Sequence, residues 1–156
     1  MPKPAASLGA ILFAAVAATA MAAGQEKAAQ AGPTPEAAVT GHCEAWNTTN
    51  RADRERLLAR VFARDGVYSD PTPAYVAGRA ALSDHIAEFQ RLNPGSRFRC
   101  SAPQVHHRAM RVSWVLLKPD GLIDTVGMDF YELGQDGQIR RITGFFGPPP
   151  PAQAAP

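Results

Sequence analysis

Apolar positions recur along the middle of the chain in two rhythms, first helical and then alternating. Thr34 precedes Pro35 and Glu36, a helix start with proline at the first helical position. Val39, Cys43 and Trp46 then share one face, with His42 beside them, and Asn47 to Asn50 breaks the pattern. Leu57, Leu58, Val61 and Phe62 mark a second helix, with Arg56 and Arg60 on its outer side. Gly66 to Asp70 reads as a short strand ended by Pro71, and Pro71 to Gly78 as a loop carrying Tyr75. Arg79 to Leu92 predicts a third helix, with Leu82, Ile86 and Phe89 facing inward and Asn93-Pro94-Gly95 stopping it.

After Gly95 the period becomes two. Phe98, Cys100 and Ala102 alternate, as do Met110, Val112, Trp114 and Leu116. Pro119-Asp120-Gly121 is a turn, Leu122 to Leu133 a long strand, Gly134 to Gly137 a hairpin loop, and Gln138 to Phe146 the returning strand. Three helices before and within a run of antiparallel strands give an α+β fold. Val126, Met128 and Phe130 fall on one face of the long strands, Ile142 and Phe146 on the other. A sheet with one solvated face would not carry apolar residues on both. One face is expected to cover the helices and a cavity. The other suits a subunit interface, so a homodimer is among the expectations.

Composition narrows the class. The 156 residues include 16 basic and 14 acidic side chains, a formal charge of +2, and hydrophobic residues make up 46%. One ordinary domain fits, and disorder throughout does not. The near-zero charge, without a basic run, argues against a nucleic-acid partner. Two cysteines exclude a disulfide-dense miniature fold and a four-cysteine zinc site.

The two ends read as separate segments. Met1 to Lys3 is a small positive start, Leu8 to Val16 a short apolar run, and Ala20-Met21-Ala22 a small-x-small site. Residues 1–22 are therefore expected to be a signal peptide cut after Ala22. Residues 23–33 form a small-residue spacer and 34–147 the folded domain. Residues 148–156, opening with four consecutive prolines, form a solvated extended tail. The expected destination is the periplasm or the outside of the cell, with no membrane insertion after cleavage. In such a compartment Cys43 and Cys100 either join in a disulfide or stay as two buried thiols.

The ordered set carries a resemblance over roughly Pro35 to Gly147. Two helices lead to Tyr68-Ser69-Asp70-Pro71, and Gly78-Arg79 opens a helix. Trp114 and Gly127-Met128-Asp129-Phe130 follow, then Asp136-Gly137-x-Ile139-x-x-Ile142-x-Gly144-Phe145-Phe146. This resembles the SnoaL-like branch of the nuclear transport factor 2-like superfamily. The resemblance implies a cone-shaped fold, with three helices packed in a curved antiparallel sheet around a deep, mostly apolar pocket. Members include ketosteroid isomerases, polyketide cyclases, dehydratases and epoxide hydrolases, so the fold leaves the reaction open.

The same resemblance singles out two carboxylates. Asp70 is similar in position to the general base of ketosteroid isomerases. Asp129 matches the place where those enzymes keep a protonated aspartate as oxyanion donor, a carboxylic acid held neutral by its apolar site. An ionised carboxylate takes a proton from carbon beside a carbonyl, and a neutral acid or phenol holds the resulting oxyanion. The first-helix tyrosine of those enzymes is missing, and His42 or Cys43 occupies that turn. Hairpin counting from Gly134–Gly137 puts Asp129 opposite Ile142, with Tyr131 and Gly144 on the same face. It puts Arg140 there too, as a diagonal neighbour. Asp129 is then either a neutral acid or the partner of Arg140. Asp70 is either the base or the carboxylate that starts the Pro71 turn.

Tyr68, Trp46, Phe89, Trp114, Tyr131, Ile142 and Phe146 are candidates to line a pocket for a flat apolar ligand, alongside Asp70, Asp129 and His42. His106 and His107 are adjacent in a connecting segment, so their side chains are expected to diverge. No histidine pair has zinc-hydrolase spacing, and neither a metal site nor a cofactor is expected. Two functions remain. One is an exported protein that binds a small apolar molecule and transfers a proton with Asp70. The other is a non-catalytic ligand-binding or dimeric module of the same fold.

Overall fold

The computed structural model of the chain describes residues 32–151. The expected signal peptide, all but the last two residues of the spacer and the last five of the tail lie outside the described residues. Among the described residues no helix is long and apolar enough to cross a membrane. Pro148 to Pro151 are exposed and belong to no helix or strand.

Helix α1 (Pro35–Asn47) starts where Thr34 Oγ1 accepts the Ala37 N–H at 3.2 Å. Helix α2 (Arg51–Val61) starts where Asn50 accepts the Asp53 N–H at 3.1 Å. It passes without a linker into strand β1 (Phe62–Ser69), which is longer than its expected Gly66 start. Phe62, expected on the helix stripe, is the first residue of that strand, and it stays fully buried. The expected Pro71–Gly78 loop contains a short strand, β2 (Tyr75–Ala77), paired with β1. Helix α3 (Arg79–Leu92) has its expected bounds. Strands β3 (Arg97–Cys100), β4 (Gln104–His106), β5 (Ala109–Leu117), β6 (Ile123–Leu133) and β7 (Ile139–Phe146) complete the fold.

The sheet runs β2-β1-β7-β6-β5-β3, with β4 also on β5. The fold is α+β as expected, with a curved, open sheet that is mixed rather than antiparallel throughout, because β1 runs parallel to β7. His106 and His107 do not diverge. His107 has left the strand for a turn at φ 53°, which brings the two Nδ1 atoms to 3.5 Å.

The inner face packs on the three helices. Leu58, Leu82, Ile86, Phe62, Ile139 and Ile142 are all fully buried there. Truncating one such side chain to alanine costs about 2–5 kcal/mol. Trp114 sits opposite Gly127, where a Cβ would come within 2.2 Å of the indole, so the glycine makes room for that ring.

Counting back from the hairpin loop misplaces the β6–β7 register. Asp129 pairs with Gly144 and Tyr131 with Ile142, and the ladder shifts between Glu132 and Leu133, where Leu133 pairs with Ile139. The shift leaves Arg140 without a cross-strand partner and reverses the alternation. Ile139 turns in, and Arg140 turns out to Asp65 at 2.9 Å and Asp136 at 3.0 Å. The expected Asp129–Arg140 pair is therefore not formed.

One buried charge belongs to the framework. Arg54 of α2 is 2% exposed. Its Nε donates to the Ser83 carbonyl and hydroxyl, each at 3.1 Å. Its Nη1 donates to the carbonyls of Thr48 and Thr49 at 2.9 and 3.2 Å, and to Gln90 Oε1 at 3.5 Å. It ties the end of α1 to α3 through acceptors that water would otherwise satisfy.

Candidate functional site

Where the helices leave the inner face of β3, β5, β6 and β7, a cavity of about 310 Å³ remains. Its apolar walls are mostly rings: Trp46 from α1, Phe89 from α3, Phe98 from β3, Trp114 from β5 and Phe146 from β7. Trp46 stands at the centre, with Phe89 and Phe98 centroids 5.4 and 5.3 Å away, both nearly edge-on. Trp114 meets Phe98 and Phe146 in the same manner, at 5.5 and 5.8 Å. Cys43 and Cys100 are joined in a disulfide that fastens α1 to β3 at the cavity wall. Closing a loop of that span contributes about 4 kcal/mol in the chain-entropy model.

Asp70 stands at the end of β1, as expected. Tyr68, two residues earlier on the same face, donates its hydroxyl to Asp70 Oδ2 at 2.8 Å. Oδ1 accepts the Thr72 N–H at 2.8 Å and the Thr72 hydroxyl at 2.5 Å. Asp70 thus starts the turn and also faces the cavity. Burial, with the charge of Asp70 behind it, raises the Tyr68 phenol above its ordinary range, so Tyr68 stays a donor.

Asp129 is held differently. It is 8% exposed, and its Oδ1 accepts the Trp114 indole N–H at 2.8 Å. Its Oδ2 accepts the Tyr131 hydroxyl at 3.3 Å. Behind Tyr131, His42 Nδ1 lies 3.1 Å from the phenol oxygen, and the Trp46 indole donates to His42 Nε2 at 3.0 Å. Burial pushes the His42 imidazole down to about 3, so the ring is neutral. Because indole nitrogen only donates, Nε2 is the acceptor and the ring proton sits on Nδ1. The chain then has one direction: Trp46 to His42, His42 to Tyr131, Tyr131 to Asp129. Burial pushes the Asp129 carboxyl up to about 6, against the two hydrogen bonds that lower it and with the nearby Asp70 charge adding to the rise. Tyr131 is raised by burial and remains protonated.

Asp70 and Asp129 both pack against Gly144. A Cβ there would lie 3.0 Å from Asp129 Oδ1 and 3.4 Å from the Asp70 Cβ, so only glycine leaves both side chains where they are. Asp70, Asp129, His42, Tyr68, Trp46, Phe89, Trp114 and Phe146 all line the cavity. Two expected lining residues do not. Ile142 is packed in the core, and Tyr131 is buried behind Asp129, where it holds the carboxylate instead of meeting a ligand. His85, at the edge of the α3 apolar stripe and with His42 a sequence candidate for a pocket acid or base, lines it as well. Thr72 and Phe98 line it without having been singled out for the pocket, and the alternation of Phe98 with Cys100 was the signal available. Among the described residues no group of three His, Cys, Asp or Glu side chains converges as metal ligands would.

A model of the SnoaL-like domain matches residues 39–142. Among solved structures, a candidate isomerase of the SnoaL-like family from Agrobacterium tumefaciens is 28% identical, with a TM-score of 0.67 over 71% of this chain and 95% of that one. A candidate ketosteroid isomerase from Kribbella flavida is 23% identical, with a TM-score of 0.54 over 78% and 90%. A candidate polyketide cyclase from Sinorhizobium meliloti is 14% identical, with a TM-score of 0.55 over 69% and 92%. These last two share the fold. No curated protein matches.

Proposed function

Because the chain belongs to the SnoaL-like domain family, we propose that it is an exported pocket protein that binds a small, largely apolar molecule and moves a proton within it. The chemistry is of the isomerase, cyclase or dehydratase type, with Asp70 as base. The observation that carries this reading is the pair of carboxylates packed against Gly144 in one ring-walled cavity, held in unlike surroundings. Asp70 sits half-buried at a strand end and accepts from three donors. Asp129 is buried with a carboxyl that exchanges its proton near pH 6.

In the reaction Asp70 takes the proton from carbon beside a carbonyl, the C–H electron pair forms a C=C bond, and the carbonyl π pair moves onto oxygen. The proton returns to a second carbon as that pair moves back. Asp129, when protonated, has one lone pair on each oxygen occupied by a protein donor. Its own proton is left to the cavity side, where it meets the developing oxyanion. Export is supported by the Cys43–Cys100 disulfide, which belongs to an oxidising compartment.

The test is Asp70→Asn, which keeps size and turn-forming capacity while removing the base. Turnover of a β,γ-unsaturated ketone should fall by about a hundred- to ten-thousand-fold with the melting curve unchanged. Unchanged turnover would remove Asp70 from the mechanism.

A second reading, a dimeric interaction module, is favoured by the outer sheet face. Phe130 and Phe145 are 45% and 53% exposed there, with centroids 6.0 Å apart. Sedimentation equilibrium decides it. A dimer that Phe130→Asp dissociates supports the module, and a monomer at all concentrations removes it.

A further inference from the structure

The cavity contains buried negative charge and no positive charge to meet it. Asp129 and Asp70 both line it, and Glu88 stands at its edge, occupied by Arg91 at 2.6 Å. No Lys or Arg is among its lining residues. Among the described residues neither Asp129 nor Asp70 forms a salt bridge, and their hydrogen bonds come from neutral indole, phenol, hydroxyl and amide donors. A carboxylate this deeply buried is ordinarily paired with a cation or bound to a metal. Metal-type convergence is missing among the described residues. The walls supply aromatic rings, Trp46, Phe89, Phe98, Trp114 and Phe146, the side chains on which organic cations rest when a ring face is presented.

We propose that the ligand of this cavity is a small organic cation, an amine or iminium on an apolar, ring-sized body, whose positive group pairs with Asp129 while its body lies among the rings. This rests on the cavity being a ligand pocket and does not depend on catalysis there. With a cation bound, Asp129 is ionised and serves as its counter-ion in place of the oxyanion-donor role it has with a neutral carbonyl compound, and Asp70 remains free to act as base. A positive nitrogen beside the reacting carbon also favours loss of its proton. Anionic ligands of the same shape meet two carboxylates and are rejected.

The groups that bear on Asp129 come from every surrounding element. They are Trp114 on β5, Tyr131 on β6, His42 behind it on α1, Tyr68 and Asp70 at the end of β1, and His85 on α3 in the same cavity. None of them is a permanent cation. Binding of a cation should therefore strengthen as pH rises through about 6, where Asp129 ionises.

The experiment compares three probes of one shape by calorimetry: 2-naphthylmethylammonium, 2-naphthylmethanol and 2-naphthoate. At pH 8 the ammonium should bind about tenfold or more tighter than the alcohol, and the carboxylate weakest. The ammonium-to-alcohol ratio should shrink at pH 5 and in Asp129→Asn, whose folding is checked by its melting curve. Equal affinity of ammonium and alcohol overturns the cation and leaves the apolar-pocket reading standing. Preference for the carboxylate overturns it as well. Failure of all three probes to bind removes both.

Discussion

Arg54 and Asp129 are both charged groups, 2% and 8% exposed, and among the described residues neither has a salt-bridge partner. Arg54 points its donors into packed protein, where the carbonyls of Thr48, Thr49 and Ser83 close around it. Asp129 points into open space, and its two donors are the tips of aromatic side chains. The first arrangement holds three helices together. The second leaves a charge under-compensated beside a void, which a fold selected for stability alone would fill or neutralise. Burial by itself does not distinguish a structural charge from a functional one. What the charge faces does.

The comparison breaks first at Arg54. Arg54→Leu should lower unfolding free energy by about 4 kcal/mol, because several buried acceptors lose their donor at once. The loss should be the same at pH 5 and pH 8 in urea titrations. A loss under about 1 kcal/mol would mean that water replaces the guanidinium and that the node is not structural.

Asp129 should behave in the opposite way. Its carboxyl is raised by burial from the ordinary 3.8 to about 6 in the folded chain, so the unfolded chain releases that proton first. The stability it contributes is full below about pH 4 and lost as pH rises through about 6, an amount of about 3 kcal/mol. Wild type should therefore lose stability across that window relative to Asp129→Asn. Parallel pH–stability curves for the two proteins would contradict the assignment.

His42 sharpens the contrast with a smaller effect. His42→Phe removes the donor that orients Tyr131 and the acceptor of the Trp46 indole, at about 1–2 kcal/mol. Tyr131 is then free to turn away from Asp129, and the Asp129 midpoint should move upward. An unmoved midpoint would show that the chain of hydrogen bonds does not reach the carboxylate.

Much of the framework was legible because it follows from local pattern. The α3 stripe of Leu82 and Ile86 between Gly78 and Asn93 fixes that helix, and the alternation from Met110 to Leu116 fixes β5 and its inward face. The α2–β1 junction was not legible, since Val61, Phe62 and Ala63 are all buried and read equally as helix stripe or strand. The edge strands β2 and β4 are three residues each, too short for a period to show. The β6–β7 register escaped because counting from the hairpin assumes an unbroken ladder, and the shift at Leu133–Ile139 depends on where Arg140 finds Asp65. In the site, Asp70 and Asp129 came from family resemblance and not from periodicity. The His42–Tyr131 contact joins residues 89 apart, and Arg54 is held mostly by backbone carbonyls, which leave no mark in sequence.

The most direct test is a carbon-detected titration of the Asp129 carboxyl in protein labelled at its aspartates, without ligand and then saturated with 2-naphthylmethylammonium. A buried carboxyl held over a ligand cavity should titrate near 6 in the free protein, and its midpoint should fall when the cation is bound. A midpoint at the ordinary aspartate value near 3.8, unmoved by the cation, would contradict the account.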